Sequence, residues 1–239
     1  MPIFLDSSEL DVIAKFHRMG IIRGVTTNPT VFLKEGVAGL ARVEDRAKAI
    51  ARLIAPLPLS VEVTTNDRSE ALAQAKRFSS WAPNINVKVT IHGPEGELEN
   101  VELIHELETV HDIRVNVTAM MSAQQCLLAA LAGATYVSIF GGRVNNMGYN
   151  VVSEINRLRR LLDAFALPAR IIVGSTREVL NVVEWLDAGA HIVTVTPALV
   201  GGMLVHPYSK ETVQMFLRDA AAGAALERSR EAKPGGGRD

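Results

Sequence analysis

Eight short runs of β-branched and apolar residues recur along the chain, each followed by a longer stretch of helix-forming residues. The runs are IFLD (Ile3–Asp6), GVTTNP (Gly24–Pro29), LSVEVTT (Leu59–Thr65), INVKVT (Ile85–Thr90), RVNVTA (Arg114–Ala119), YVSIF (Tyr136–Phe140), RIIVGS (Arg170–Ser175) and HIVTVT (His191–Thr196). Between them, LARVEDRAKAIARLIA, SAQQCLLAALAGA and REVLNVVEWLDAGA carry apolar residues at helical spacing. The last two carry a glycine near the helix C-terminus, which suits a left-handed helix cap. Strands separated by helices pair in parallel, because each crossover needs a helix to carry the chain back. Eight such units in 239 residues predict an α/β fold, a single (β/α)8 barrel with a C-terminal helix. The rival, a doubly wound open sheet, lacks support: no G-x-G-x-x-G follows the first strand, and no G-x-x-x-x-G-K-[ST] occurs. No internal Pro/Gly-rich linker divides the chain. The expectation is one domain over 1–226 and a flexible, charged, Gly-rich tail over 227–239.

Composition excludes several function classes. The 25 basic and 26 acidic residues nearly cancel, which argues against nucleic-acid or membrane-surface partners. No apolar stretch reaches membrane-spanning length without a charge or a helix breaker. The start, MPIFLDSSELDV, lacks the basic residues and long apolar run of a signal peptide. A single cysteine suits a reducing setting. Together these features read as a soluble cytoplasmic protein.

In this barrel the chemistry comes from the C-terminal ends of the strands. A strand buried on both faces is expected to be apolar throughout, yet several runs here finish in polar residues. The clearest is Lys88, flanked by Val87 and Val89 and the only lysine between Lys76 and Lys210. Burying an ammonium is costly, which favours the neutral, nucleophilic amine that Schiff-base chemistry needs. A head group reaching the barrel rim, or paired with Glu62 or Asp6, fits the same pattern. Asp6 and Glu62 end two other strands and suit proton transfer, while Asp6 also reads as a helix N-cap. Arg143, Ser175 and Arg177 follow the sixth and seventh strands, where late loops and a helix N-terminus often bind phosphate. The six histidines show no metal-ligand spacing, and Cys126 reads as core. HGPEG (His92–Gly96) reads as a turn, and Arg157, Arg159 and Arg160 as a solvated helix face.

With these residues in view, GVTTNPT, NVKV, VNVTAMMSAQQCLLAALAGATYVSIFGGR and VGSTREV resemble the short-chain branch of the transaldolase family, which includes the fructose-6-phosphate aldolases. The resemblance runs from IFLDSSEL to HPYSKETVQMFL. It implies a class I aldol mechanism with no metal or cofactor, acting on sugar phosphates. Lys88 would form the Schiff base with the dihydroxyacetone unit of a ketose phosphate such as fructose 6-phosphate or sedoheptulose 7-phosphate. Asp6 would take the C4 hydroxyl proton. Glu62 and Thr118 would hold a proton-shuttling water. Asn28, Asn116 and Ser138 would bind the donor hydroxyls, with Thr26 supporting the loop, and Arg143, Ser175 and Arg177 would bind the phosphate. The aldolases typically have Gln and Tyr where this chain has Glu62 and Phe140, so the resemblance favours transfer to an aldose phosphate. Release of free dihydroxyacetone, and a non-catalytic sugar-phosphate-binding barrel, are the alternatives. GGRVNNMGYN departs from the family continuation, and Asn145, Asn146 and Met147 are expected to reshape the acceptor end. Short members form rings of five that stack into decamers, which implies a homo-oligomer, with Pro207–Leu226 supplying the helix.

Overall fold

The computed structural model describes residues 2–231, in the order β1 (Ile3–Asp6), α1 (Leu10–Arg18), β2 (Val25–Thr26), α2 (Pro29–Lys34), α3 (Leu40–Ile54), β3 (Leu59–Glu62), α4 (Arg68–Ser79), β4 (Ile85–Thr90), α5 (Glu99–Thr109), β5 (Val115–Met120), α6 (Ala123–Leu131), β6 (Tyr136–Phe140), α7 (Gly141–Asn146), α8 (Val151–Ala164), β7 (Arg170–Gly174), α9 (Val179–Asp187), β8 (Ile192–Val195), α10 (Pro197–Leu204) and α11 (Pro207–Glu231). All eight strands pair in parallel, and β8 closes on β1. The fold is a (β/α)8 barrel, as the alternation predicts. The chain divides into two compact units at Leu199: the barrel, and a segment from Val200 that holds α11. The boundary expected at Leu226 falls inside α11, and residues 232–239 of the expected tail lie outside the described residues.

Local chemistry sets the element ends. In α3, Ala47, Ile50, Ala51 and Ile54 recur at helical spacing and are all fully buried. The side chains of Asp67, Ser122 and Asn150 cap α4, α6 and α8 by accepting from the backbone N–H of Glu70, Gln125 and Ser153. The chain after α6 and α9 turns through Gly133 at φ 103° and Gly189 at φ 104°, the left-handed conformation expected there. Strand β2 is shorter than the Gly24–Pro29 run because Asn28 leaves the sheet to cap α2 and Pro29 opens that helix.

The barrel interior is layered by the two-residue period of the strands. Phe4, Tyr136, Ile172 and Ile192 form one buried apolar cluster, in which the Phe4 and Tyr136 rings meet edge-on at 6.3 Å. Two residues further along the same strands stand Asp6, Ser138, Gly174 and Thr194. The interior therefore changes from hydrocarbon to polar groups toward the C-terminal mouth.

Candidate active site

The twelve residues given a catalytic or substrate-binding role in the sequence all line one cleft of about 550 Å³ at the C-terminal end of the strands. Strand register does much of the gathering. Glu62 pairs with Lys88 across β3–β4, and Lys88 with Asn116 across β4–β5. Three side chains far apart in sequence thus stand at one level on adjacent strands.

Lys88 is buried and its ammonium has two partners. Nζ lies 2.9 Å from Glu62 Oε2 and donates to the carbonyl of Thr27 at 2.9 Å. The ion pair recognised as an option in the sequence is present. It also gives the amine a carboxylate beside it to receive the proton that leaves before nucleophilic attack.

Asp6 does not cap α1: the residue before that helix is Glu9, and no side chain caps it. Instead the Asp6 carboxylate accepts from Thr26 Oγ1 at 2.8 Å. Thr26 has one hydroxyl hydrogen, so the 2.6 Å contact with Thr194 Oγ1 runs from Thr194 to Thr26. Burial pushes the Asp6 carboxyl above the usual carboxylate range, and the nearby Lys88 charge and the Thr26 hydrogen bond only partly oppose that rise. A carboxyl tuned upward is a better proton acceptor than an ordinary one.

One wall of the cleft is wired in series. Ser138 Oγ donates to Asn116 Oδ1 at 2.6 Å, and Asn116 Nδ2 donates to Ser60 Oγ at 3.0 Å. This fixes the amide and leaves the Ser138 lone pairs free to accept from a substrate hydroxyl. Asn28 Oδ1 is spent on the Val31 amide at 2.9 Å, which leaves its Nδ2 hydrogens for a ligand. Thr118 Oγ1 is buried and has no partner among the described residues, a group prepared for water or substrate. The β5 ladder is irregular between Val117 and Met120, and Ala119 there adopts φ 61°. This bulge re-aims the end of the strand that carries Thr118.

The mouth carries the basic residues. The Arg143 guanidinium lies 5.3 Å from the centre of the Phe140 ring, a cation–π contact that holds its direction. Gly142 makes room for this arrangement: a Cβ there would stand 1.9 Å from the Ser175 carbonyl oxygen and 2.9 Å from Arg177 Cγ. Only glycine lets α7 approach the β7 loop so closely. Ser175 sits at φ 59°, a strained conformation for a non-glycine residue. Just before α9, the Arg177 and Glu178 amides are occupied by Asn181 Oδ1 at 3.4 and 3.1 Å, so these two amides are not available to an anion.

One expectation changes here, and three residues not marked in the sequence join the site. Asn145, Asn146 and Met147 do not line the cleft, and Asn145 Oδ1 accepts from the Val151 amide at 3.2 Å, so the departure in this segment serves the turn into α8. Thr194 and Ser60 join the site network although the sequence did not mark them. Lys34 also lines the cleft. Cys126 is fully buried, and burial pushes its thiol up, away from reactivity. Among the described residues no group of three or more His, Cys, Asp or Glu is placed to hold a metal.

A barrel with a buried lysine on its fourth strand, carboxylates on its first and third strands and arginines at the mouth defines a carbonyl-chemistry enzyme scaffold. Residues 3–233 match the family described as Transaldolase/Fructose-6-phosphate aldolase, and the chain belongs to that family. It is 35% identical over 227 residues to "Probable transaldolase 2" of Listeria monocytogenes, covering 95% of this chain and 99% of that protein. It is also 35% identical over 228 residues to "Probable transaldolase" of Lactiplantibacillus plantarum, covering 95% and 100%. Among solved structures, a putative phosphonomutase from Burkholderia cenocepacia superposes with a TM-score of 0.57 at 17% identity, covering 95% of this chain and 94% of that one. That last likeness is one of fold alone. No helix among the described residues is long and apolar enough to cross a membrane.

Proposed function

We propose that this chain is a transaldolase, moving a dihydroxyacetone unit from a ketose phosphate to an aldose phosphate through an imine on Lys88. The observation that carries this reading is the buried Lys88 amine 2.9 Å from Glu62, in one cleft with Asp6 and, at the mouth, Arg143 and Arg177.

Glu62 takes a proton from the Lys88 ammonium, and the freed amine attacks C2 of the ketose. The carbinolamine loses water, its proton delivered through a water held between Glu62 and Thr118. In the iminium that results, the C3–C4 bond breaks and its electron pair passes into the iminium. Asp6 accepts the C4 hydroxyl proton as the aldehyde forms. The aldose phosphate departs, and a neutral three-carbon enamine stays covalently attached. A second aldose phosphate then enters. Enamine C3 attacks its aldehyde carbon, Asp6 returns the proton to the nascent alkoxide, and water releases the new ketose from Lys88. Arg143, Ser175 and Arg177 hold the phosphate by charge-assisted hydrogen bonds, so the acceptor exchanges while the donor stays bound.

Phe140 supports transfer over release. Its ring has no hydroxyl with which to protonate an enamine, and its face is taken by Arg143. The test of function is turnover of fructose 6-phosphate with and without an aldose phosphate acceptor: transfer requires the acceptor, whereas an aldolase liberates dihydroxyacetone without it. Phe140→Tyr is expected to raise the share of free dihydroxyacetone several-fold, and an unchanged partition between the two products would count against this role.

The pH profile offers a second test. Replacing Thr26 with valine removes a hydrogen bond to the charged form of Asp6, so the Asp6 carboxyl rises further. Asp6 works as a base only when ionised. The acid limb of kcat/KM therefore moves to higher pH in Thr26→Val, and a limb that stays in place or moves down contradicts the assignment.

The same reading makes the protein a cytoplasmic homo-oligomer, a pentamer or decamer. Leu128 and Leu131 on α6, and Leu180 and Val183 on α9, expose apolar surface that assembly would cover. Mass photometry of the full chain distinguishes these states from a monomer.

A further inference from the structure

Lys34 closes α2 and lines the cleft. Strands β2 and β6 lie four places apart either way round the closed barrel, so Lys34 stands on the rim opposite the one that carries Arg143. The nearby carboxylate of Glu35 does not neutralise Lys34, because both Glu35 oxygens are committed elsewhere. Oε1 accepts from Ser7 Oγ at 3.0 Å, and Oε2 accepts from the Ser8 amide at 2.7 Å and from Ser8 Oγ. Arg46 adds a hydrogen bond to the Ser8 carbonyl at 2.8 Å. These bonds tie the end of α2 to the turn that follows Asp6, so the backbone beneath Lys34 is fixed relative to the reacting end of the cleft. The Lys34 ammonium itself is exposed and has no partner among the described residues.

The charges along the cleft give this a meaning. Its lining holds four cations, Lys34, Lys88, Arg143 and Arg177, and two carboxylates, Asp6 and Glu62. The difference, four minus two, matches one phosphate dianion. Without Lys34 that match fails by one charge. We propose that Lys34 is a specificity-determining residue: an unpaired ammonium on the β2 rim that draws in the phosphate of the incoming aldose and sets the preference for phosphorylated over neutral acceptors. This rests on the transfer reading above. An exposed charge of this kind acts over about a Debye length and is weakened by salt.

The test compares glyceraldehyde 3-phosphate with glyceraldehyde as acceptors in the full-length wild type, Lys34→Gln and Lys34→Arg, at low and high salt. Lys34→Gln is expected to raise KM for the phosphorylated acceptor about fivefold more than KM for glyceraldehyde. The loss falls on KM rather than kcat, the salt dependence flattens, and Lys34→Arg restores most of the effect. Equal changes with both acceptors, no change, or failure of arginine to restore would overturn the proposal. If the wild type turns over neither acceptor, the transfer reading fails separately. Calorimetric titration with inorganic phosphate then still decides: weaker binding to Lys34→Gln upholds the anion subsite, and equal binding overturns it.

Discussion

Replacing Lys88 with methionine is expected to lower transfer from fructose 6-phosphate by about 10⁴-fold or more, because it removes the nucleophile on which every later step depends. The methylene stem is retained in shape, so the apolar packing around Val87 and Val89 persists. What the substitution leaves behind is the Glu62 carboxylate without its partner at 2.9 Å. Glu62 sits toward the cleft with 16% of its side chain exposed, so water can reach it and the fold is expected to survive, with a modest drop in Tm. A folded Lys88→Met protein that keeps more than about a hundredth of wild-type turnover would remove the imine from the mechanism. The loss on truncating a group that acts as part of a unit is not a partition of the rate among residues. The informative quantity is therefore whether any substrate-derived adduct survives, and none is expected.

The second large effect concerns the other end of the substrate. Neutralising both arginines, in Arg143→Gln with Arg177→Gln, is expected to raise KM for phosphorylated donors by about 10²- to 10³-fold. A hydrogen bond to a charged group contributes on the order of 1.5–3 kcal/mol, and two such groups act on one dianion. The two arginines are brought together through the same Gly142 approach, so their effects need not add, and the single variants are needed to measure the coupling. Imine formation from free dihydroxyacetone has no phosphate to lose. It should be much less affected in the double variant, and equal loss with both substrates would show that the arginines support the fold rather than the phosphate. Arg143 is further restrained by the Phe140 ring, so Phe140→Tyr, which keeps a ring, is expected to alter partition more than phosphate affinity.

How much of this was legible in the sequence varied with the kind of information each residue carries. Strands β1, β4 and β6 run over the ranges their apolar runs predict, because a short β-branched run bounded by turn residues specifies a strand locally. β2 was overextended: nothing in VTTNP shows by composition that Asn28 has left the sheet to cap α2. The catalytic candidates stood out because a lysine or carboxylate inside an apolar run violates the pattern of a strand buried on both faces. Thr194 and Ser60 did not stand out, since small hydroxyl residues are unremarkable in strands. Their part depends on register, which places Thr194 against Thr26 and Ser60 against Asn116 across more than fifty residues of chain. Gly142 was hidden for a similar reason, because its value lies in a carbonyl from β7 that comes within reach only after the barrel closes. Lys34 did not stand out because a lysine in a helical pattern reads as an ordinary solvated charge. That the nearby Glu35 carboxylate is taken up by the two serines after Asp6 shows only in the folded chain.

The central claim is that a ketose phosphate leaves its three-carbon unit on Lys88. Incubation of the full-length chain with fructose 6-phosphate and borohydride, followed by intact mass and peptide mapping, tests it directly. The expected result is one reduced three-carbon adduct per chain, carried by the peptide that contains Lys88 and discharged when an aldose phosphate is added before the reductant. An unmodified chain at saturating donor, or an adduct mapped to any other lysine, would contradict it.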